Sequence, residues 1–335
     1  MKTTLITGHT GFVGTNLIHA FQKNFTLWGL DIQQREPAKT PPLPPENSFS
    51  WDQVDDLPEV DTIIHLAGKA HDTANVSAPE DYFEVNLGLT QRIFDHFLQS
   101  KAKTFIFFSS VKAVADTLEG ETLNEEHLPD PITPYGQSKL AAESYIIKNI
   151  FNKKEENKIP QTIDFSESTA FKQSGKRVFI LRPVMIHGSG NKGNLNLLYK
   201  VVQKGLPWPL GAFSNQRSFA SIDNVAFVLR QIIEKPVAPG IYNLADDEPL
   251  STNRLISLMA ETLNRKPRIW NIPPGSIKLL ARTGDILRLP LNSERLKKLT
   301  ESYVVSNARI KKALDVPQLP VGALAGLEKT LASFQ

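Results

Sequence analysis

The stretch TGHTGFVGTNL, residues 7 to 17, constrains this chain more than any other. It sets Gly8, Gly11 and Gly14 three apart, directly behind the apolar run Thr3-Thr4-Leu5-Ile6. Phe12, Val13, Leu17, Ile18 and Phe21 then recur with helical periodicity. A strand that ends in bare backbone and runs straight into an amphipathic helix points the first free N–H groups of that helix outward. Those groups and the helix dipole together receive a phosphate. Glycines at this spacing also serve plain helix–strand packing, so the surrounding sequence has to decide.

Continuous apolar runs at 3–7, 26–31, 61–66, 103–109 and 178–182 alternate with helical stretches at 12–24, 79–100 and 134–150. Strands without a polar face, separated by helices, predict an α/β fold: a doubly wound parallel sheet covered on both sides. The second half reads as helices at 191–204, 223–234 and 251–264 with a strand at 240–245, and beyond about 270 the pattern is mixed and punctuated by proline. Two segments read as loops, the proline-rich 35–46 and the polar, almost aperiodic 152–177. The latter is long enough to be a surface excursion. A chain of 335 residues accommodates about two such units.

Several function classes are excluded by composition. Hydrophobic residues make up 41% and charged residues 22%, as in ordinary globular proteins. The net charge is only +3 and the basic residues read as scattered, which argues against a nucleic-acid partner. Without cysteine there is no disulfide, thiol nucleophile or thiolate metal site. No histidine pair has metal-ligand spacing, so no metal is expected. The first apolar segment is too short for an export signal and no run reaches a membrane span, which predicts a cytoplasmic protein without membrane insertion.

The second apolar run ends in Asp31. An acidic residue there accepts both ribose hydroxyls of an adenosine and repels an additional phosphate, so NAD is expected over NADP; a simple turn carboxylate is the alternative. Within PYGQSK, Thr133 can cap a helix whose first residue is Pro134. Tyr135 and Lys139 then lie on one face, one turn apart. A phenol with an ordinary pKa near 10 is no base at neutral pH unless a nearby cation stabilises its anion, and Lys139 is expected to supply that cation. The run 103–109 delivers Ser109 and Ser110 at its carboxyl end, where ligands of doubly wound sheets bind, and Ser110 is the stronger candidate for holding a substrate oxygen. His65 reads as a core residue, His9 as a tolerant turn position, and His71 as a residue that could face substrate. Lys69 and Lys112 read as solvated charges.

Taken together, TGHTGFVG, DTIIHLAG, EVNLGLT, FFSSVKAV, TPYGQSK, LRPVMIHGSGNKGNL and RSFASIDNVA resemble the extended short-chain dehydrogenase/reductases of the nucleotide-sugar epimerase and dehydratase branch, in order and spacing over nearly the whole chain. The resemblance implies a Rossmann-type NAD-binding domain over 1–185, with 219–245 returning to it, and a smaller C-terminal nucleotide-sugar-binding α/β domain from 186–218 and 246–335. By it, Gly8, Gly11 and Gly14 carry the pyrophosphate with backbone N–H groups of Phe12 and Val13. Asp31 and Ile32 hold the adenosine ribose, Leu66, Ala67, Gly68 and Pro183 line the dinucleotide path, and Asn86 braces the loop beneath. Ser110, Tyr135 and Lys139 form the catalytic set, the last two also touching cofactor, while Asn194, Leu195 and Arg217 meet the substrate diphosphate.

The departures carry information too. Where the sugar-nucleotide 4,6-dehydratases have an Asp-Glu pair after the catalytic hydroxyl residue, this chain has Val111-Lys112, which argues against dehydration. Val114-Ala115 and Leu89 replace residues usual in the family. The activity implied is 4-epimerisation of a UDP-hexose or UDP-N-acetylhexosamine in bacterial surface polysaccharide synthesis, with 4-ketoreduction as the alternative and a non-catalytic dinucleotide-binding module as the competing class. Apolar residues on more than one face of 79–100 (Phe83, Phe94, Phe97, Leu98) and 134–150 (Leu140, Tyr145, Ile146, Ile147) predict a homodimer through those helices.

Overall fold

The computed structural model describes residues 1–32, 43–70, 78–118, 120, 122–151, 165, 168–191, 193–287 and 292–335. His71, most of the proline-rich loop and residues 152–164 and 166–167 of the long polar segment lie outside them.

Strand β1 (Thr3–Thr7) runs up the middle of a sheet and turns into α1 (Phe12–Phe21). After it come β2 (Thr26–Asp31), β3 (Ser48–Ser50), β4 (Thr62–His65), α2 (Pro79–Phe83), α3 (Leu89–Gln99), β5 (Thr104–Phe108), β6 (Thr122–Leu123) and α4 (Pro134–Phe151). The chain continues through α5 (Thr169–Ser174), β7 (Arg177–Pro183), β8 (Met185–His187), α6 (Asn194–Gln203), β9 (Phe219–Ser221), α7 (Ile222–Glu234) and β10 (Gly240–Leu244). It closes with α8 (Thr252–Thr262), α9 (Pro274–Leu287), α10 (Ser293–Thr300), β11 (Val304–Val305), α11 (Ala308–Leu314) and α12 (Ala323–Ala332).

Seven strands form one parallel sheet in the order β10-β7-β5-β4-β1-β2-β3, the doubly wound arrangement that the apolar runs predict. Register is fixed by pairs such as Thr7 with His65, His65 with Phe107, and Phe108 with Leu181. Successive residues of a strand face opposite sides, so Leu5 and Ile6 enter different cores. On one side Ile6, Ile64, Ile106 and Phe179 pack with Leu17 and Phe21 of α1 and Val225 and Leu229 of α7. On the other, Leu5, Ile63, Phe105 and Phe107 pack with Phe94 and Phe97 of α3 and Ile146 and Ile150 of α4. A third cluster has no large sheet beneath it and joins Leu195, Tyr199, Met259, Ile277, Ala281, Leu296 and Leu327.

Several expectations need correction. Helix 79–100 is interrupted: α2 passes into a π-helical turn at Glu84–Gly88 before α3 begins, an element often met at functional positions. The mixed region beyond 270 contains four helices among the described residues, α9 to α12. Its short segments, started by proline, asparagine or glycine, have no single dominant periodicity. Strands β3, β6, β8, β9 and β11 are too short for a period-two signal. The extra apolar surface expected on 79–100 and 134–150 is largely covered: Phe94, Phe97, Ile146 and Ile147 are buried, and Phe83, Leu98, Leu140 and Tyr145 are half-buried. Part of that cover is α3 against α4, where the Tyr145 hydroxyl donates to Asp95 at 2.5 Å.

Candidate active site

At the carboxyl end of β1 the chain turns with Gly8 in the left-handed region (φ +69°), and its N–H donates to Leu30 O at 2.8 Å. A Cβ on Gly8 would sit 2.8 Å from Ala67 N, and one on Gly14 would sit 2.5 Å from Gly8 O. The bare backbone is therefore a packing requirement, and it brings α1 close under the turn. No side chain caps α1, whose N-cap is Gly11, so the N–H groups of Phe12 and Val13 are left without a side-chain acceptor, as at a helix N-terminus that could receive a phosphate. Across the turn, Asp31 ends β2. Its Oδ2 accepts from Thr10 N (3.0 Å) and Thr10 Oγ1 (2.6 Å), and its Oδ1 from Ile32 N (2.8 Å). The half-buried carboxylate is thus fixed in direction, and exposed Ile32 beside it offers an apolar flank. This combination of cradle and aimed carboxylate fits a dinucleotide without a ribose phosphate.

His9 is not a tolerant turn position. It is 4% exposed, and its ring stands where a Cβ on Gly29 would be, 2.6 Å away. Burial lowers its pKa against the pull of nearby Asp31. His65, by contrast, is the core residue expected: fully buried, it bridges Thr7 Oγ1 (2.7 Å) and Thr90 Oγ1 (2.9 Å), and burial keeps it neutral with its pKa well below normal.

The catalytic candidates converge where β4 and β5 end. Thr133 Oγ1 caps α4 by accepting from Gly136 N at 3.2 Å. A Cβ on Gly136 would collide with the Lys112 carbonyl and lie 2.8 Å from Pro131 Cβ, so only glycine lets α4 approach the turn after β5. That approach lets the Ser110 hydroxyl hydrogen-bond the Tyr135 phenol. One turn along, the Lys139 ammonium donates to Phe108 O at 3.0 Å and lies beside Gly68, whose Cβ would be 3.0 Å from Nζ. Asn86, fully buried in the π-helical turn, ties these parts together. It accepts from Lys69 N (2.8 Å) and donates to Lys69 O (3.1 Å) and Ser138 Oγ (2.9 Å), bracing the 66–69 segment against α4.

The electrostatics differ from the simple expectation. Burial raises the Tyr135 pKa, opposed by the Ser110 hydrogen bond and assisted by the neighbouring Tyr82 phenol. The Lys139 ammonium is held at Phe108 O and is itself desolvated. Burial pulls the Lys139 pKa down to about 8, against the Glu143 carboxylate. Glu143 belongs to a network that leaves no local pattern in the sequence. Fully buried, it accepts from Ser109 Oγ and from Arg182 Nε (2.9 Å) and Nη2 (2.5 Å), and Arg182 is 2% exposed. Ser109 is therefore a structural partner, and Ser110 alone faces the phenol.

Neither flagged lysine is a free solvated charge. Lys69 bridges Asp81 at 2.9 Å and stands 5.4 Å from the ring centre of Tyr82, which is edge-on to Tyr135. Lys112 lies 4.3 Å from the Tyr303 ring centre, its pKa lowered by burial, raised in part by Asp116 and lowered by Arg217. Arg217 is near enough to Lys112 for the two cations to repel. It donates from Nη1 to Lys298 O at 2.8 Å, and burial lowers its pKa. Asn194 and Leu195 open α6 after Gly193 (φ +145°), with no side-chain cap. Leu195 is buried in the third cluster and can offer only its backbone N–H, whereas Asn194 is exposed. Pro183 ends β7 opposite Leu244, at the same edge of the sheet.

Fold and site define a Rossmann-type oxidoreductase of the short-chain class: a bare glycine turn at a helix N-terminus, a carboxylate at the end of β2, and a serine after β5 facing a tyrosine and lysine on α4. The chain belongs to the NAD-dependent epimerase/dehydratase family, whose model matches residues 4–154. It is 30% identical over 286 residues to a UDP-glucose 4-epimerase of Vibrio cholerae, covering 81% of this chain and 78% of that protein. It is 29% identical over 313 residues to the N-acetyl-alpha-D-glucosaminyl-diphospho-ditrans,octacis-undecaprenol 4-epimerase of Escherichia coli O157:H7, covering 92% and 84%. In fold it is similar to the UDP-glucose 4-epimerase of Thermus thermophilus in complex with NAD, with a TM-score of 0.70 at 20% identity over 99% of this chain and 98% of that one.

Proposed function

We propose that this chain is an NAD-dependent 4-epimerase of a UDP-hexose or UDP-N-acetylhexosamine, acting in the cytoplasm on precursors of bacterial surface polysaccharide. The observation that carries the reading is the contact between Ser110 and Tyr135 with Lys139 one turn away, all at the carboxyl edge of a sheet whose first turn is a phosphate cradle. NAD bound there would supply a reversible hydride acceptor for the sugar carbon. Tyr135 takes the proton of the 4-hydroxyl and gives it back, Ser110 orients that oxygen, and the Lys139 ammonium holds the cofactor ribose. The backbone N–H groups of Asn194 and Leu195, with the Arg217 guanidinium, hold the diphosphate. Epimerisation is favoured over net reduction because the Vibrio cholerae and Escherichia coli relatives, each aligned over most of its length, are 4-epimerases. Dehydration lacks its acid pair, since Val111 and Lys112 occupy those positions.

Two organisational proposals go with this one. Residues 1–185 and 219–245 form the cofactor domain, while 186–218 and 246–335 form the substrate domain. A homodimer through α3 and α4 would have to use the apolar surface left on Leu98 and Leu140, which the chain covers only in part. The test of the reaction is chromatography of epimers after incubation with NAD and a panel of UDP-sugars. Tyr135→Phe is expected to lower turnover by about 10²–10⁴-fold while NAD binding persists, since only the proton-carrying oxygen is lost. A parent protein that epimerises no member of the panel, or a variant as fast as the parent, removes the reading.

A further inference from the structure

Helix α9 carries apolar residues on two faces. Ile277, Ala281 and Gly284 are buried on one side, against the third cluster. Away from them, Leu279 and Ile286 are 66% and 82% exposed, and Leu280 and Leu287 are 57% and 62% exposed. Each pair is separated by two helical turns, so the four aliphatic side chains make one outward stripe. Trp270, just before the helix, is 56% exposed. Lys278 and Arg282, both exposed, run along the flank between the buried side and the stripe. The basic residues that read as scattered are dense in this stretch of the sequence. Residues 261–300 contain nine Lys and Arg against three Asp and Glu, an excess of six, twice the +3 of the whole chain.

Apolar stripe and positive charge together select the occupant. A second copy of the chain would bury the stripe but set two strongly basic surfaces against each other. A polyanion such as nucleic acid would meet the charge and leave the stripe in water. An anionic bilayer takes both, with aliphatic side chains at the acyl boundary and ammonium and guanidinium groups among the phosphates. We infer that α9 and its basic surroundings dock this chain on the surface of an anionic membrane. Attachment is peripheral, since among the described residues no helix is long and apolar enough to cross a membrane.

The docked lobe is the one that holds the proposed substrate residues. Ile277 and Ala281 share their cluster with Leu195, and the Arg217 side chain is tied to the backbone of α10 at Lys298. Docking is nevertheless a property of this surface and does not depend on the proposed reaction.

The test is co-sedimentation of the full chain with vesicles of phosphatidylcholine alone and of phosphatidylcholine containing one third phosphatidylglycerol, in the absence of any sugar nucleotide. Binding to the anionic vesicles is expected to be at least about tenfold tighter and to weaken as salt is raised. The double variant Leu279→Glu with Ile286→Glu should lose binding, and Lys278→Glu with Arg282→Glu should weaken it severalfold, with NAD titration showing that both remain folded. Absence of binding to anionic vesicles at low salt overturns the proposal. So does a stripe variant that binds like the parent, or one whose only change is from a dimer to a monomer in sedimentation velocity. None of these outcomes touches the 4-epimerase reading, which is scored by epimer formation in solution.

Discussion

The sheet edge around Lys139 and the helical lobe around α9 put opposite kinds of side chain in opposite places. At the sheet edge, charged and polar groups are interior: Arg182, Glu143, Lys139 and Asn86 are all less than 5% exposed and are locked to one another or to backbone carbonyls. In the helical lobe, four large aliphatic side chains of α9 stand in solvent, and a charge pair such as Lys298 with Glu294 is about 70% exposed on both partners. A site that moves a proton needs charges in fixed positions and low dielectric, where each interaction is strong. A docking face needs transferable apolar area and mobile charge. Under the two proposals, each need is met by its own lobe.

Breaking the buried network should produce the largest difference. Arg182→Met leaves Glu143 buried with only Ser109 for a partner, and is expected to cost about 3–5 kcal/mol in urea denaturation. Lys298→Ala, which dissolves the exposed pair, should cost less than about 1 kcal/mol. Equal losses would erase the contrast. Replacing both Arg182 and Glu143 by methionine should recover much of the single-variant loss, because no uncompensated charge is left inside.

Glycines sharpen the same comparison on a smaller scale. In Gly14→Ala the new methyl meets two backbone atoms, Gly8 O at 2.5 Å and His9 Cα at 2.6 Å, neither of which can swing away. A loss of about 1–3 kcal/mol, with weaker NAD binding, is expected from thermal melts and cofactor titration. Gly275→Ala, in the first turn of α9 with nothing within 4 Å, should instead be neutral or stabilising by up to about 1 kcal/mol.

A pH series addresses Lys139 directly. Its folded pKa of about 8 lies below the ordinary 10.5, so between these values the unfolded chain holds a proton that the folded chain has lost. In that window this group makes stability rise with pH, and below it the buried ammonium is a standing cost. Its proposed binding role runs the other way, because the ammonium assigned to the cofactor ribose is present below about pH 8 and lost above it. NAD affinity in the free enzyme should therefore fall as pH rises through that value, and Lys139→Met should be weak and flat across the range. A parent profile without that decline would remove the ammonium from cofactor binding. The smallest effect belongs to Asp31→Ala, which should narrow the preference for NAD over NADP severalfold by removing the charge that repels a ribose phosphate.

Much of the candidate site was readable because its residues are neighbours in sequence. The glycine spacing after β1, the acidic end of β2, the serines after β5 and the one-turn separation of Tyr135 from Lys139 are each local patterns with a local physical demand. Lys112 misled as a solvated charge because its partner ring, Tyr303, is far along the chain. Helix α9 was unreadable for another reason: with apolar residues on both its buried and its outward side, its pattern has no single face for periodicity to find.

By itself, then, the sequence determined the alternation of the long strands with helices, the turn that needs bare backbone, and the candidate residues for binding a dinucleotide and moving a proton. These follow from backbone geometry and side-chain periodicity within a few residues. Only the tertiary structure decided that Gly136 must be bare, that Glu143 and Arg182 pair beneath Lys139, that the phenol of Tyr135 is raised and the ammonium of Lys139 lowered, and that α9 faces outward with its leucines. Burial and electrostatic environment are sums over contacts distant in sequence, and they exist only once the chain has closed on itself.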